Sequence, residues 1–524
     1  MILLDLFLAA LGTGSALAAQ CESIRSKSDP QTAPGVEFKV LANGLSKPRG
    51  VIVDSRGNLL VVEGGGKGII RFELDEGQGL DTCVTKNSSV VDDKTLNHGI
   101  EFSSDGKTLF ASSSTDVYAY DYDAEKGTVG KARNIITGMD QGGHASRTLL
   151  IPKHNSNLLL VSRGSDENID KDTVDINSAK SQIRIFKIDL LLKSYSPVQY
   201  SDGQVLGWGL RNSVGVAEDP ITGNIWSVEN SIDQMRRKGV DVHNSNPGEE
   251  LNFHGLPNDT NSEVYGKNFG YPACVAIFDN TIIDGYPGGA KTGLQMVGDQ
   301  MPSNYTDQWC QDVTVSPYIT FGSHLAPLDI KFDSQGSAAL ISFHGSWNRQ
   351  PPSGYRLSRV AFSNGYPKAD KSSTTAEQKL MWNRDDSACP EQCFRPVGLS
   401  FDGEGRRLFM TSDSSGELYL VIGTGSDQCR LPPIIQQSGA QGQGATTTGL
   451  KLLLAIELSR LLIKLVRKSQ SLMRERCERL GKNMSCRAQL PNFCQAVFVL
   501  IKLLNGYASA VEEISDFEVE EKME

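Results

Sequence analysis

A short phrase recurs six times along this chain, and each copy has the same order of parts. It opens with a polar or basic residue, continues as a small-apolar strand and a turn built on Asp or Gly, and ends as a second apolar strand. Strand-turn-strand units at irregular spacing predict a radially repeated all-β fold, most simply a six-bladed β-propeller. The copies begin at Pro48, Asn97, His144, Arg211, Ala326 and Arg395.

The repeat also predicts where a ligand site lies. In a hairpin, the start of the first strand and the end of the second strand lie on the same side of the sheet. Because the first strand of each propeller blade lines the axis, these residues from all six copies share one face, which has a central funnel. A repeat needs only small apolar residues there, so recurring charge indicates a site for a small, multiply anionic ligand. The residues expected on this face are Arg49, His98, His144, Arg163, Arg211, Asn212, Glu229, Asn230, His344 and Arg395.

Composition narrows the class of protein. A propeller of six blades uses about 400 residues, which fits within a chain of 524 residues. The 52 Gly and 21 Pro residues fit many tight strand connections. A net charge of -10 argues against a nucleic-acid partner, which would favour a basic face.

The N-terminus predicts export. Residues 1–18 contain a short apolar core that ends in Ala16-Leu17-Ala18, which is typical of a secretory signal peptide and predicts a secreted, extracellular protein. A buried N-terminal strand is the alternative. The propeller domain is then expected to occupy residues 19–430.

The C-terminal part has a different character. Residues 431–448 are rich in Pro, Gln, Gly, Ser and Thr, which predicts a linker. Residues 449–524 predict an amphipathic helical or disordered tail, because charges interrupt its apolar run and argue against a membrane span. Contact of this tail with a membrane, packing on the propeller or a partner, and a segment without evolved function all stay open.

Export makes the cysteines interpretable. In an oxidising compartment, these cysteines are expected to form disulfides that fix the long connections between blades. A metal site at Cys389 and Cys393 is the alternative, but no second Cys/His pair at zinc spacing accompanies it. The expected pairs are Cys21–Cys83, Cys274–Cys310 and Cys389–Cys393, which leaves Cys429 without a partner. Asn-X-Ser/Thr sequons, expected to carry glycans on export, occur at Asn87, Asn258 and Asn304.

Three groups of residues could carry chemistry. Arg211 and Asn212 offer a planar donor fork beside an amide, although an isolated pair of this kind is more often a surface contact. His98, His144 and His344 all fall at strand ends of the expected funnel, where an imidazole can transfer protons.

The third group is rich in oxygen ligands. Residues 227–233 and 246–252 combine carboxylates, amides and turns, which suit Ca²⁺, although most acidic turns bind nothing. Near His344, the indole of Trp347 offers a flat surface for a sugar ring.

These residues are compatible with three alternative functions. One is an enzyme that holds an anionic cofactor, a divalent cation and a sugar-like substrate. The second is a non-catalytic secreted propeller that binds a sugar or a protein. The third is a Ca²⁺-dependent lactonase-like hydrolase, for which metal-binding carboxylates would be expected on several inner strands.

Several strings in this order carry a family resemblance. From about residue 36 to residue 425, the chain resembles the soluble pyrroloquinoline-quinone-dependent sugar dehydrogenases, in particular their fungal secreted branch of pyranose and L-sorbosone dehydrogenase-like proteins. The strings are LNHG at 96–99, RTLL at 147–150, GWGLRNSVGVA at 207–217, NPGEELN at 246–252, NFGYP at 268–272, FHGSW at 343–347 and CFRPVG at 393–398.

The resemblance implies a quinoprotein oxidoreductase with pyrroloquinoline quinone (PQQ) and Ca²⁺ as cofactors. It implies that His144 is the general base for oxidation of the anomeric hydroxyl of an aldose or related pyranose to a lactone, with Ca²⁺ as Lewis acid at the carbonyls of Ser231 and Ile232. An external acceptor, such as a quinone, a cytochrome or another redox protein, is then required. The residues expected to hold the quinone are Arg49, His98, Arg163, Arg211, Asn212, Asn230, His344 and Arg395, with Trp347 at the substrate.

Overall fold

Each copy of the repeated phrase forms the two innermost strands of one sheet. In the first copy, Pro48–Val53 and Leu59–Glu63 pair as an antiparallel hairpin. The carboxylate of Asp54 accepts hydrogen bonds from the backbone N–H groups of Arg56 and Asn58, both at 2.9 Å. Gly57 adopts a φ of 81°, which a glycine tolerates without steric cost. In this copy, the Asp and Gly residues that mark the turn in the sequence therefore close it physically.

The computed structural model describes residues 21, 23–75 and 77–423, which form six blades around an axis, antiparallel except for the outermost pairs of blades 2 and 3. This confirms the predicted six-bladed β-propeller. Blade 1 consists of Pro48–Val53, Leu59–Glu63, Gly68–Leu74 and Val84–Val91. Blade 2 consists of Leu96–Phe102, Thr108–Ser113, Val117–Asp123, Arg133–Thr137 and Val198–Gln199, with Thr128–Val129 paired to its third strand. Blade 3 consists of Leu149–Leu150, Leu158–Arg163, Gln182–Lys187, Gln204–Trp208 and Lys267–Asn268.

The remaining blades follow the same plan. Blade 4 consists of Ser213–Glu218, Ile225–Glu229, Glu249–Gly255 and Ile319–Phe321. Blade 5 consists of Pro327–Phe332, Ala338–Phe343, Arg356–Ser363, Glu377–Trp382 and Gln31–Thr32, with Tyr366–Pro367 paired to its third strand. Blade 6 consists of Pro396–Phe401, Leu408–Ser412, Glu417–Gly423 and Val36–Ala42. The first strand of each blade is called its inner strand below.

The N-terminal strand closes the propeller. Val36–Ala42 pairs antiparallel with Glu417–Gly423, so blade 6 contains strands from both ends of the described chain. This pairing covers the outer edge of Glu417–Gly423, which would otherwise expose a row of backbone donors and acceptors.

Short elements lie in the connections between strands. Two small ribbons join Arg236–Arg237 to Val240–Asp241 and Cys274–Ala276 to Gln295–Val297. The α-helices are Ile188–Lys193 and Asp307–Val313. The 3₁₀ turns are Gly79–Asp81, Lys153–Asn155, Lys171–Val174, Ile176–Ser178, Tyr200–Asp202, Asn280–Ile282 and Asp386–Ala388. Within the described ranges, no helix is long and apolar enough to cross a membrane.

The hydrophobic core lies between neighbouring blades. Between blades 4 and 5, Trp226 is fully buried and meets the rings of Phe362 and Tyr318 edge-on at centroid distances of 5.2 and 5.3 Å. Burial of one such large side chain contributes about 2–3 kcal/mol. Similar clusters fill the other interfaces, which explains why the second strands of the repeats are continuous apolar runs.

Glycines allow the inner strands to approach closely at the axis. A Cβ at Gly50 would lie 2.2 Å from the carbonyl oxygen of His98, and one at Gly398 would lie 2.3 Å from that of Arg49. A Cβ at Gly99 would lie 2.1 Å from the carbonyl oxygen of Arg147. Any side chain at these positions would force the neighbouring inner strands apart, so glycine fixes the narrow waist of the propeller.

The cysteine prediction is confirmed for all three pairs. Cys21–Cys83, Cys274–Cys310 and Cys389–Cys393 form disulfides. The three sequon asparagines, Asn87, Asn258 and Asn304, are exposed. The predicted signal peptide at 1–18, the linker at 431–448, the tail at 449–524 and Cys429 lie outside the described residues.

Candidate functional site

The openings of the inner strands meet on one face of the propeller, which we call the upper face. A network of hydrogen bonds there passes through residues of all six blades. The network includes Asn97 to the Ala145 carbonyl at 3.0 Å, the Ser165 N–H to the Arg211 carbonyl at 2.8 Å, and Asn230 to the Pro327 carbonyl at 2.6 Å. It closes through Arg49 of blade 1 and Asp413 of blade 6. The sequence repeat therefore brings its polar openings together around one axis.

Asp413 joins two of the predicted residues. Its Oδ2 accepts a hydrogen bond from Nη1 of Arg49 at 2.9 Å, and its Oδ1 lies 2.7 Å from Nε2 of His344. Burial alone would raise the pKa of Asp413, but His344 and Arg49 outweigh burial and hold this pKa well below its usual range. Asp413 is therefore ionised at neutral pH. Nη2 of Arg49 also donates to the Ser146 hydroxyl at 3.2 Å.

Arg395 is held by backbone oxygens. Its Nε donates to the His344 carbonyl at 3.0 Å and its Nη2 to the Gly345 carbonyl at 2.8 Å. Its guanidinium lies 5.5 Å from the ring centroid of Tyr355, a cation–π distance. Burial, together with the charge of Arg49, lowers the pKa of Arg395. Arg395 thus keeps a positive charge close to Arg49 without a carboxylate of its own.

Arg211 is bonded through both its backbone and its side chain. Its backbone N–H donates to Oε1 of Glu229 at 2.6 Å. Its guanidinium reaches the carboxylate of Asp233 at 3.0 Å and both the carbonyl and the side-chain oxygen of Asn168, at 3.1 and 2.9 Å. The planar fork of Arg suits several acceptors at once, so its orientation is fixed before any ligand binds.

Two of the three arginines have acidic partners of their own on this face. Asp413 pairs with Arg49 and Asp233 pairs with Arg211, so two of the three charges are already matched. The upper face nevertheless presents guanidinium groups on three blades, arranged around the axis.

Gly164 allows two more predicted residues to approach each other. A Cβ at Gly164 would lie 2.7 Å from both Oδ1 of Asn212 and Cβ of His144. Asn212 and His144 therefore meet at a position where a side chain would clash with both. Nδ2 of Asn230 donates to the Pro327 carbonyl at 2.6 Å and also to the Asn212 carbonyl.

The hydrogen bonds of His144 favour one tautomer. Its Nδ1 lies 2.9 Å from the Ser165 carbonyl oxygen and 2.9 Å from the Ser165 hydroxyl. Because a carbonyl can only accept, this contact places the proton on Nδ1 and the lone pair on Nε2. Burial, with the nearby charge of Arg211, lowers the pKa of His144 to about 3. His144 is thus a neutral imidazole with a free basic nitrogen at ordinary pH.

Two predicted cofactor residues lie elsewhere. Arg163 is 2% exposed, and its guanidinium donates to the Ala179 carbonyl at 3.1 Å and to Asp166 at 3.2 Å. These contacts hold the loop behind His144. His98 lies at the axis on the wall of a cavity that opens on the opposite side of the propeller. Sequence position alone could not show where these two side chains lie.

The loop proposed to hold calcium offers backbone oxygens. Within the described residues, no hydrogen bond reaches the carbonyl oxygens of Ser231 or Ile232, so both are available to a cation. The Ser231 N–H donates to Glu249 at 2.7 Å, and burial raises the pKa of Glu249 to about 8. The described chain contains no cluster of three His, Cys, Asp or Glu side chains that could hold a metal ion.

These donors fit the implied cofactors. Guanidinium groups suit the carboxylates of PQQ, and hard backbone oxygens suit Ca²⁺, which would need the cofactor's own oxygens to complete its shell. Trp347 is 67% exposed, so its indole is free to contact a sugar ring. The sequence reasoning missed Asp413, Asn168 and Ser165, and it placed Asp233 in the calcium segment 227–233, whereas its side chain pairs with Arg211. Asp413 directly follows the second strand of its blade, the position that drew attention to His344, so the same rule could have found it.

Comparison with known proteins places the chain in a family. A family model described as TrAA12-like matches residues 30–424. The chain is 42% identical to a pyrroloquinoline quinone-dependent sugar dehydrogenase of Hypocrea jecorina over 76% of this chain and 90% of that protein. A calcium structure of the Trichoderma reesei carbohydrate-active enzyme family AA12 is also 42% identical, with a TM-score of 0.75 over 77% of this chain and 99% of that one.

A third relative comes from Coprinopsis cinerea. The chain is 37% identical to its pyrroloquinoline quinone-dependent pyranose dehydrogenase over 74% of this chain but spans only 54% of that protein. The holo form of that enzyme's PQQ domain is 35% identical, with a TM-score of 0.71, and the match covers 77% of this chain and 99% of the domain. This chain therefore belongs to the TrAA12-like family of pyrroloquinoline-quinone-dependent sugar dehydrogenases.

Proposed function

We propose that this protein oxidises the anomeric hydroxyl of an aldose or related pyranose to a lactone, with PQQ and Ca²⁺ bound at the upper face. Membership of the family makes it an oxidoreductase that acts on sugars. The observation that carries the finer proposal is the position of His144. Its imidazole carries an unprotonated Nε2, its Cβ lies at the same glycine as the Asn212 amide, and the charge of Arg211 acts on the ring.

The arginines and the asparagines bind and orient the cofactor. Arg49, Arg211 and Arg395 offer guanidinium donors to its carboxylates, while Asn212 lines one edge. Ser231 and Ile232 offer their carbonyl oxygens to Ca²⁺. When bound, the quinone accepts the hydride and Ca²⁺ acts as the Lewis acid that withdraws electron density from it.

His144 moves the proton. The Ser165 carbonyl fixes a proton on Nδ1, so Nε2 is free to take the proton of the sugar hydroxyl as the hydride leaves the carbon that bears this hydroxyl. An anionic ligand near Arg211 offsets the charge that lowers the pKa of His144, so cofactor binding makes this nitrogen more basic. The exposed indole of Trp347 supplies a stacking surface for the sugar.

Two other functions have less support. A lactonase-like hydrolase needs a carboxylate cage for its metal, and the described residues hold no such cluster. A non-catalytic binding propeller does not explain an imidazole held in one tautomer near the guanidinium of Arg211. Export fits the three disulfides, which form in oxidising compartments. Electrons then pass to an external acceptor, such as a quinone, a cytochrome or another redox protein.

Reconstitution tests this proposal. Purified apo-protein is mixed with PQQ, with Ca²⁺, with both or with neither, and a panel of sugars is screened with an artificial electron acceptor. Sugar-dependent dye reduction that requires both additions, with lactone as the product, supports the proposal. Cofactor binding without any dye reduction would favour the binding propeller. Lactone hydrolysis with Ca²⁺ alone would favour the hydrolase.

A further inference from the structure

Six equivalent positions, one on each inner strand, surround the axis at its narrow waist. Their equivalence follows from contacts between neighbouring strands. Gly50, Gly99 and Gly398 each follow one of these positions, and a Cβ on any of them would meet the carbonyl oxygen of the equivalent position on the neighbouring inner strand. Thr148 also follows one of these positions, and its hydroxyl donates to the carbonyl of the next, Val214. We call these positions the axial ring: Arg49, His98, Arg147, Val214, Leu328 and Val397.

Five of the six side chains are engaged in other contacts. Arg49 bonds to Asp413 on the upper face, and Arg147 donates to the carbonyls of His144 and Asp140 at 2.6 and 2.8 Å. On the other half of the ring, three apolar side chains pack against one another and close the axis to water. These side chains are Val214, Leu328 and Val397.

A cavity of about 670 Å³ opens below this ring, on the side opposite the candidate site. We call it the lower cavity. It is lined by the second halves of the inner strands and by their turns, on all six blades. Its volume admits about 20 water molecules at ~30 Å³ each. The lower cavity is thus large enough to hold water and ends against the axial ring.

His98 lies where this cavity ends. It is the one axial-ring residue that lines the lower cavity, it is 5% exposed, and its Nδ1 has no hydrogen-bond partner among the described residues. Burial lowers the pKa of His98 well below its usual value; the charges of Arg49 on the upper face and Lys331 in the lower cavity add to this and Asp413 opposes it, so the resting imidazole is neutral. His98 therefore stands between the candidate site and the water below.

The lower cavity also carries groups that exchange protons. Glu101 lines it, and burial raises the pKa of Glu101 to about 7, so this carboxyl can hold or release a proton near neutrality. Lys331 lines it too, and its Nζ donates to Asp329 at 2.7 Å. An imidazole at the inner end, with a carboxyl and water beyond it, has the composition of a proton path.

We propose that His98 and the lower cavity form the route by which protons leave the redox site toward the face opposite the substrate. This inference rests on the proposed function. Conversion of the sugar's H–C–O–H group to C=O removes two electrons and two protons. With a one-electron acceptor such as a cytochrome or ferricyanide, two acceptor molecules take the electrons and no protons, so both protons must reach solvent. His98 accepts a proton on one ring nitrogen and releases one from the other to cavity water.

The first test needs no turnover. Ser400 lines the lower cavity, so Ser400→Cys provides a thiol that a small methylthio-forming reagent can modify in the apo-protein. Deuterium exchange at the His98 ring carbon, followed by mass spectrometry, reports access of water to His98. We expect modification to slow this exchange at least five-fold. Unchanged exchange after complete modification would overturn the route.

The second test separates the two halves of the reaction. In reconstituted Ser400→Cys protein, stopped-flow measurements follow reduction by sugar without an acceptor, and then reoxidation by ferricyanide with a pH indicator. We expect modification to slow proton release and reoxidation at least ten-fold, while reduction changes less than two-fold. The controls are wild-type protein treated with the same reagent and Ser55→Cys, an exposed position that does not line the lower cavity.

The His98→Gln variant provides an independent check. Glutamine keeps a hydrogen-bonding side chain but cannot ionise near neutrality, so the same slow proton release is expected with unchanged affinity for PQQ. Normal proton release in His98→Gln, or equal slowing of both half-reactions, would overturn the route. Failure of the unmodified protein to reduce dye with any sugar would instead overturn the proposed function, and with it the reaction that the route serves.

Discussion

The carboxylate of Asp413 lies 2.7 Å from Nε2 of His344, in a contact that joins blades 5 and 6 at the upper face. The other oxygen of the same carboxylate holds Arg49 of blade 1. One acidic residue thus orients two groups that the sequence assigns to cofactor binding, and it does so across the point where the first and last blades of the propeller meet.

Removal of Asp413 should therefore disturb both partners. In Asp413→Ala, Arg49 and His344 lose a half-buried acceptor, so we expect a loss of about 1–3 kcal/mol in the free energy of unfolding. We also expect roughly ten-fold weaker PQQ binding, because Arg49 is no longer oriented. Asp413→Asn keeps an acceptor for His344 and should lie between the two. Thermal unfolding and equilibrium titration measure both effects, and wild-type values in Asp413→Ala would contradict this role.

His144 should affect turnover and not cofactor binding. In His144→Gln, we expect kcat to fall about 100-fold or more, because no group remains to take the hydroxyl proton. Affinity for PQQ should change little, since the arginines are intact. His154→Gln is the matched control, because His154 is a half-exposed histidine that bonds to Glu218 away from the upper face. Wild-type turnover in His144→Gln would exclude it as the base.

Arg211 should not tolerate lysine. Its guanidinium serves acceptors on Asn168, Asp233 and Asn230 at once, which a single ammonium cannot span. In Arg211→Lys, we expect PQQ binding to weaken at least ten-fold although the positive charge is kept. Arg56→Lys, at an exposed turn, is the control. Equal affinities in the two variants would show that charge alone matters at position 211.

Glu101 should make stability depend on pH. Burial raises its pKa from 4.5 to about 7 in the folded chain, so the folded state binds more protons than the unfolded state between these values. The stability due to this proton is fully present below about pH 4.5 and is lost as pH rises through about 7. Glu101→Gln removes that loss.

The measurement is the thermal midpoint from pH 5 to pH 8. Relative to wild type, we expect the midpoint of Glu101→Gln to rise by roughly 1–3 °C as pH increases across this range. Exposed Glu263→Gln serves as the control and should show no such trend. A constant difference between Glu101→Gln and wild type at every pH would mean that Glu101 ionises normally in the folded chain.

The sequence predicts the blades well because their information is local. Each hairpin carries its own apolar strands, and five of the six carry an Asp or Gly turn, as the Asp54 carboxylate and the positive φ of Gly57 show in the first. Closure by Val36–Ala42 depends instead on a pairing with Glu417–Gly423, almost the whole described chain away. No periodicity in the sequence identifies that partner.

The candidate site was predictable in position but not in its pairings. Arg49 and Asp413 are 364 residues apart, so their ion pair could not be inferred from either segment. Arg163 closes the second strand of its blade, as Glu229 does, yet its side chain bonds to Ala179 and Asp166 in the surrounding loop. A repeat specifies where a backbone lies, and the neighbouring loops decide where a long side chain lies.

Equilibrium binding of PQQ to the apo-protein tests the central claim most directly, because the claim is that the upper face holds one anionic quinone. Titration in the presence of Ca²⁺ should give one quinone per chain. Affinity should fall in Arg49→Ala, Arg211→Ala and Arg395→Ala, while Arg56→Ala should match wild type. Absence of binding, or binding that none of the three upper-face substitutions weakens, would contradict the account.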